Sequence, residues 1–309
     1  MLMLMVTIEA CELEGAAAGV HVMHRYVEVD GTSIFYRDSG PVDGPTVLLL
    51  HGFPTASHQF RRLIDAIGHR CRMIAPDYPG FGYSDTFISA RPGGASGTTF
   101  ERLADTVERF CVEVGLDRFI VYMFDFGGPV GMRLATRHPE WVAGLVVQNA
   151  NAYEEGLSDM ARELITLAPD VAGDGDRIRS ILGPEAVRGQ YLAGASNPEA
   201  IAPDGWTLDQ HFLSRSGREQ VQIDLAFDYH HNVALYAKWQ QWLRDRRPPT
   251  LIVWGRRDPF FLEAGAHSYR RDLPDAELHL LDTGHFALEE KLSEISALLV
   301  EFAERTWRR

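Results

Sequence analysis

Cysteine is scarce in this chain of 309 residues, with only Cys11, Cys71 and Cys111 present. Three widely spaced cysteines exclude a disulfide framework and a cysteine-rich zinc site, and they read as free thiols of a reducing compartment. Basic charge is also short: 30 Lys and Arg stand against 43 Asp and Glu, a formal net charge of −13. Nucleic acid and anionic membranes both call for a basic face, so neither is an expected partner. There is no run of about 18 apolar residues, which excludes a hydrophobic transmembrane helix. The opening stretch MLMLMVTIEACELEGAAAG has no basic lead, and Glu9, Glu12 and Glu14 interrupt it. Residues 1–25 are therefore expected to be a poorly ordered extension rather than a signal peptide, and the location cytoplasmic. Low complexity is confined to RPGGASG at 91–97, read as a loop.

What remains is 45% hydrophobic and 24% charged, enough for one large α/β domain with an insertion. YVEVDGTSIFYRD at 26–38 alternates around an Asp-Gly pair and predicts a β-hairpin. TVLLL, RMIAPD, RFIVYMF, VAGLVVQNA, PPTLIVWG and AELHLLDTGH are apolar runs that read as buried strands. Helical spacing falls between them, as in TFERLADTVERFCVEVGL with Thr99 as cap. This alternation predicts a doubly wound, mostly parallel sheet. Residues 152–240 break the rhythm with helix and turn signals only, so they predict a helical cap inserted into a core of 26–151 and 241–309. Such an insertion belongs over the C-terminal ends of the strands, where open α/β sheets bind ligands.

Four segments carry chemistry, each placed after an expected strand: HGFPT at 51–55, DYPGFGYSD at 77–85, FDFGG around Asp125, and the pair WGRRDPF and DTGHFALEE with Asp258 and His285. An aspartate before a helix is also a favoured N-cap, and taken alone Asp125 reads equally as one. In this order the segments resemble the α/β-hydrolase fold with an aspartate nucleophile, the branch that holds epoxide hydrolases and haloalkane or fluoroacetate dehalogenases. The resemblance runs from Tyr26 to the C-terminus and is closest to the epoxide hydrolases. Met123 departs from it, standing where a small residue is usual.

The resemblance implies Asp125 as nucleophile, His285 as base and Asp258 as the group that orients it. A carboxylate is ionised at neutral pH and needs no base to make it a nucleophile. It suits displacement at saturated carbon through an alkyl–enzyme ester, and the histidine then activates water against that ester. The backbone N–H groups of Phe53 and Phe126 are the expected oxyanion donors. His51 is expected to prop its loop. Metal and organic cofactor are not part of this chemistry.

Dehalogenases of this branch hold the halide with side-chain N–H donors, at positions where this chain has Phe126 and Phe53. Fluoroacetate types place an arginine after the nucleophile, where Phe126 stands. Epoxide hydrolases instead use two cap tyrosines. FDYHHNVALYAKW nominates Tyr229 and RGQYLAG nominates Tyr191, with Tyr153 and Tyr236 in reserve. Each reads equally as an amphipathic packing residue. Joint donation to one oxygen requires both hydroxyls in one cleft above Asp125. Phe53, Phe126, Trp206 and Trp239 are candidates to line the pocket. The expectation is hydrolysis of a small apolar epoxide to a diol, with an atypical dehalogenase as the alternative. A ligand-binding protein without activity is the second alternative. A homo-oligomer stays open.

Overall fold

The computed structural model describes residues 20–87 and 96–308. Most of the expected N-terminal extension and of the 91–97 loop lies outside these residues. An eight-stranded sheet runs through the chain: β1 (Val22–Val29), β2 (Thr32–Ser39), β3 (Thr46–Leu50), β4 (Arg72–Pro76), β5 (Phe119–Phe124), β6 (Val142–Gln148), β7 (Thr250–Gly255) and β8 (Glu277–Leu281). Its spatial order is β1-β2-β4-β3-β5-β6-β7-β8. The hairpin β1–β2 and the β2–β4 pair are antiparallel, and the other pairs are parallel. Asp30 and Gly31 both have positive φ, +49° and +75°, the backbone that a two-residue hairpin turn demands. The hairpin starts at Val22, four residues before the expected Tyr26, because Val22 still pairs with Ser39. Charged residues on this exposed edge strand hide the alternation there.

Period-two burial builds two cores, one on each face of the sheet. Leu48, Leu50, Val121, Met123, Ile252 and Trp254 face one side, and they pack with residues of α2 (Phe100–Glu113) and α3 (Gly127–Arg137). Val47, Leu49, Ile120, Tyr122, Leu251 and Val253 face the other side, against α1 (Arg61–Ile67). Runs such as TVLLL are continuous because both of their faces are covered. Thr99 caps α2 as its position suggests, its hydroxyl accepting from Arg102 N–H.

Between β6 and β7 the chain forms α4 (Asp159–Ile165), α5 (Asp174–Ser180), α6 (Pro184–Leu192), α7 (Asp204–Leu213), α8 (Arg218–Asp228) and α9 (His230–Arg246), with no strand among them. The chain then adds α10 (Glu263–Asp272), α11 (Ala287–Glu290) and α12 (Leu292–Trp307) around the sheet, with α12 covering the face that α1 covers. The strand order reverses between β3 and β5. The loops after these two strands diverge at that point and open a crevice.

Candidate active site

Asp125 follows β5 directly and has φ +49°, a left-handed backbone that a non-glycine residue adopts at a cost of roughly 1–3 kcal/mol. Glycines make the turn possible. A Cβ on Gly52 would lie 2.3 Å from the Asp125 Cβ, and one on Gly127 would lie 2.2 Å from the Leu50 carbonyl oxygen. Met123 is accommodated by Gly131, where a Cβ would come within 2.7 Å of the Met123 Cγ. The small residue usual at 123 is thus moved one helical turn into α3. Asp125 is not a helix cap: Phe126 holds that position and no side chain closes the helix end. The Asp125 carboxylate turns across the crevice instead, and Oδ1 accepts the Phe53 N–H at 2.6 Å. Phe126 N–H also donates to the carboxylate.

His285 and Asp258 arrive from the loops after β8 and β7. His285 Nδ1 lies 2.7 Å from Asp258 Oδ2, and Nε2 lies 3.8 Å from Asp125 Oδ2. Asp258 is held on both oxygens. Oδ1 accepts from Phe260 and Phe261 N–H, and Oδ2 from Asn149 Nδ2 at 2.7 Å. Asn149, at the end of β6 with φ +44°, escapes sequence reading. Its only signal is an amide in the polar run QNAN after a buried strand. Burial pushes the Asp125 carboxyl up to about 6, against the pull of His285 and the N–H groups of Phe53 and Phe126. Burial disfavours the His285 cation, but Asp258 and then Asp125 outweigh it and raise its pKa above the ordinary imidazole value. His51 accepts Tyr78 N–H on Nε2, and burial lowers its pKa to about 3. It is a neutral prop between two loops.

Asp125 and His285 border a cavity of about 420 Å³ that they share with the inserted helices. Phe53, Phe126 and Tyr229 also line it. Leu164, Ile178, Ile181 and Leu182 supply much of the wall, and Gln190 and Gln222 are its other polar side chains. The Tyr229 hydroxyl is buried beside the Tyr236 hydroxyl. Burial, the Tyr236 hydroxyl and the Asp125 carboxylate together raise its pKa well above the ordinary phenol value.

Three expected residues are elsewhere. On α6, Ala186, Gly189 and Gln190 face the cavity at helical spacing, as does Ala193 just past its end, so Tyr191 falls on another face. Its hydroxyl donates to the buried Asp209 Oδ2 at 2.5 Å, and its ring stacks on Phe286 at 3.7 Å. The expected pair of tyrosine donors is therefore absent. Trp206 packs edge-on against Tyr191 and does not reach the cavity. Trp239 is fully buried, with the Arg133 guanidinium 5.5 Å from its ring centre. Of the reserve tyrosines, Tyr153 donates to Asp272, and Tyr236 accepts from Asn151 and has its hydroxyl against that of Tyr229.

The α/β-hydrolase fold profile matches residues 45–292, and the chain belongs to that family. It is 37% identical over 287 residues to Uncharacterized hydrolase YNR064C of Saccharomyces cerevisiae, spanning 91% of this chain and 97% of that one. Haloalkane dehalogenase 2 of Mycobacterium tuberculosis is 38% identical over 296 residues, spanning 90% and 93%. Epoxide hydrolase 2 of Caenorhabditis elegans is 23% identical over 294 residues, spanning 90% and 79%. Among solved structures, Cfl2 from Burkholderia cenocepacia aligns with a TM-score of 0.75 at 23% identity, covering 90% and 95%. That likeness shows the same fold.

Proposed function

We propose that this hydrolase acts at saturated carbon through an alkyl ester on Asp125, and that its substrates are small apolar epoxides converted to diols. The observation that carries the reading is the pairing, beside one apolar cavity, of the Asp125 carboxylate with the buried Tyr229 hydroxyl, close enough for the carboxylate to raise the phenol's pKa. Asp125 Oδ1 is tied to Phe53 N–H, which leaves Oδ2 to attack an epoxide carbon. The C–O bond opens, and the departing alkoxide takes the Tyr229 proton. His285 then removes a proton from water as that water adds to the ester carbonyl. The oxyanion forms against the N–H groups of Phe53 and Phe126. Collapse releases the diol and restores the carboxylate. The proton on His285 returns to the Tyr229 phenolate through solvent. Asp258 keeps the imidazole oriented and supports its cation.

Carbon–halogen cleavage is the second reading, favoured by the 38% identity to Haloalkane dehalogenase 2. The phenylalanine side chains at 53 and 126 weigh against it, since neither offers a donor to a departing halide. Halide release from haloalkanes with no turnover of epoxides would reverse the order of the two. Replacing His285 with Gln tests the shared ester. The variant, incubated with a terminal epoxide, is expected to gain the mass of one substrate on the peptide that contains Asp125. No adduct with the epoxide, and none with a haloalkane in a parallel incubation, would count against the ester and in favour of a protein that binds without reacting.

A further inference from the structure

Among the described residues, Gln222 borders the cavity with a buried polar atom left over: it is 3% exposed, and its Oε1 has no hydrogen-bond partner. A buried carboxamide left unpaired in an apolar wall is unfavourable, and each such group asks for an explanation. Gln222, Ala226 and Tyr229 all line the cavity, at the i, i+4, i+7 spacing of one helix face. At about 1.5 Å of rise per residue, Gln222 stands roughly 10 Å along α8 from Tyr229. From α6 comes a second carboxamide, Gln190. Its cavity-facing neighbours Ala186, Gly189 and Ala193 are small, and a Cβ on Gly189 would meet nothing within 4 Å. Among the described residues, the only side chains on the cavity wall that can carry charge near neutral pH are Asp125 and His285, both at the reactive end.

We infer that Gln222, together with Gln190, forms a polar subsite that hydrogen-bonds a neutral hydroxyl or carbonyl on the part of the substrate remote from the reacting carbons. This rests on the epoxide reading above and amends its apolar substrate: the favoured substrates are medium-chain terminal epoxides with a neutral polar group toward the far end. A carboxamide offers both a donor and an acceptor, which suits such a group. An ionised tail would find no counter-charge there.

Binding to the Asp125→Asn protein tests this without chemistry. The probes are an eight-carbon straight-chain terminal epoxide and its analogue with a hydroxyl on the far terminal carbon. Calorimetry gives the ratio of their dissociation constants. Gln222→Met, or Gln222→Leu if that protein does not fold, is expected to shift the ratio about tenfold or more against the hydroxylated ligand. An unchanged ratio would overturn the subsite. Turnover of neither epoxide by the unmodified protein would instead overturn the epoxide reading, while the binding ratio still decides the subsite.

Discussion

At the scale of single residues, position 126 separates the two chemistries proposed for Asp125. Its backbone N–H serves the Asp125 carboxylate, but its phenyl side chain gives a leaving group nothing. Tyr229 is then the hydroxyl in the cavity able to protonate an opening ring. Tyr229→Phe is expected to lower the single-turnover rate of ester formation from an epoxide by about 10²-fold or more. Rapid-quench kinetics would read this, and an unchanged rate would remove Tyr229 from the mechanism. Asp125, Asp258 and His285 stood out in the sequence because the resemblance matched them to positions just past expected strands; β5 and β7 are buried runs, while β8, at the sheet edge, is only half-buried. Asn149 was not legible. Its contribution depends on β6 and β7 lying side by side, so that its amide reaches both Gly255 and Asp258.

At the scale of elements, α6 decides which side chains the cavity receives. Tyr191 and Gln190 are adjacent in sequence, but one helical step of 100° sends them to different surroundings. No motif could have told them apart, because the rotation of an inserted helix is set by what packs behind it. Here that includes Asp209 on α7, which also lies 2.8 Å from His58 Nε2 in the core. Tyr191 thus helps to bind the insertion to the sheet domain. Tyr191→Phe removes one partner of a buried carboxylate and is expected to cost about 1–3 kcal/mol in denaturant unfolding. Its rate of ester formation is expected to stay within about threefold of the parent, unlike that of Tyr229→Phe, because no reacting atom is touched. A rate loss as large as that of Tyr229→Phe would return Tyr191 to the site.

At the scale of the whole molecule, the sheet was readable and the shape of the cavity was not. Strands buried on both faces announce themselves as apolar runs, and their alternation with helices fixes a parallel order. The cavity is built from aliphatic residues on short helices, whose sequences report helix and turn but not direction. The buried Asp125 carboxyl also leaves its mark on global stability. Asp125 has a folded-state pKa of about 6, above the ordinary value of 3.8. The native state therefore holds this proton more tightly than the unfolded chain, so the group costs stability as pH rises from about 4 through 6. The cost is full above that range, at most on the order of 3 kcal/mol. Asp125→Asn is expected to melt higher than the parent at pH 8, with the gap narrowing toward pH 5. A gap independent of pH would contradict this origin. The ester itself is tested most directly by a single turnover of excess protein in heavy-oxygen water, followed by mass analysis of the peptide and the diol. Attack of water on the ester carbonyl puts the label in the Asp125 carboxylate, and the diol keeps ordinary oxygen. Heavy oxygen in the diol after that first turnover, with none in Asp125, would contradict the ester.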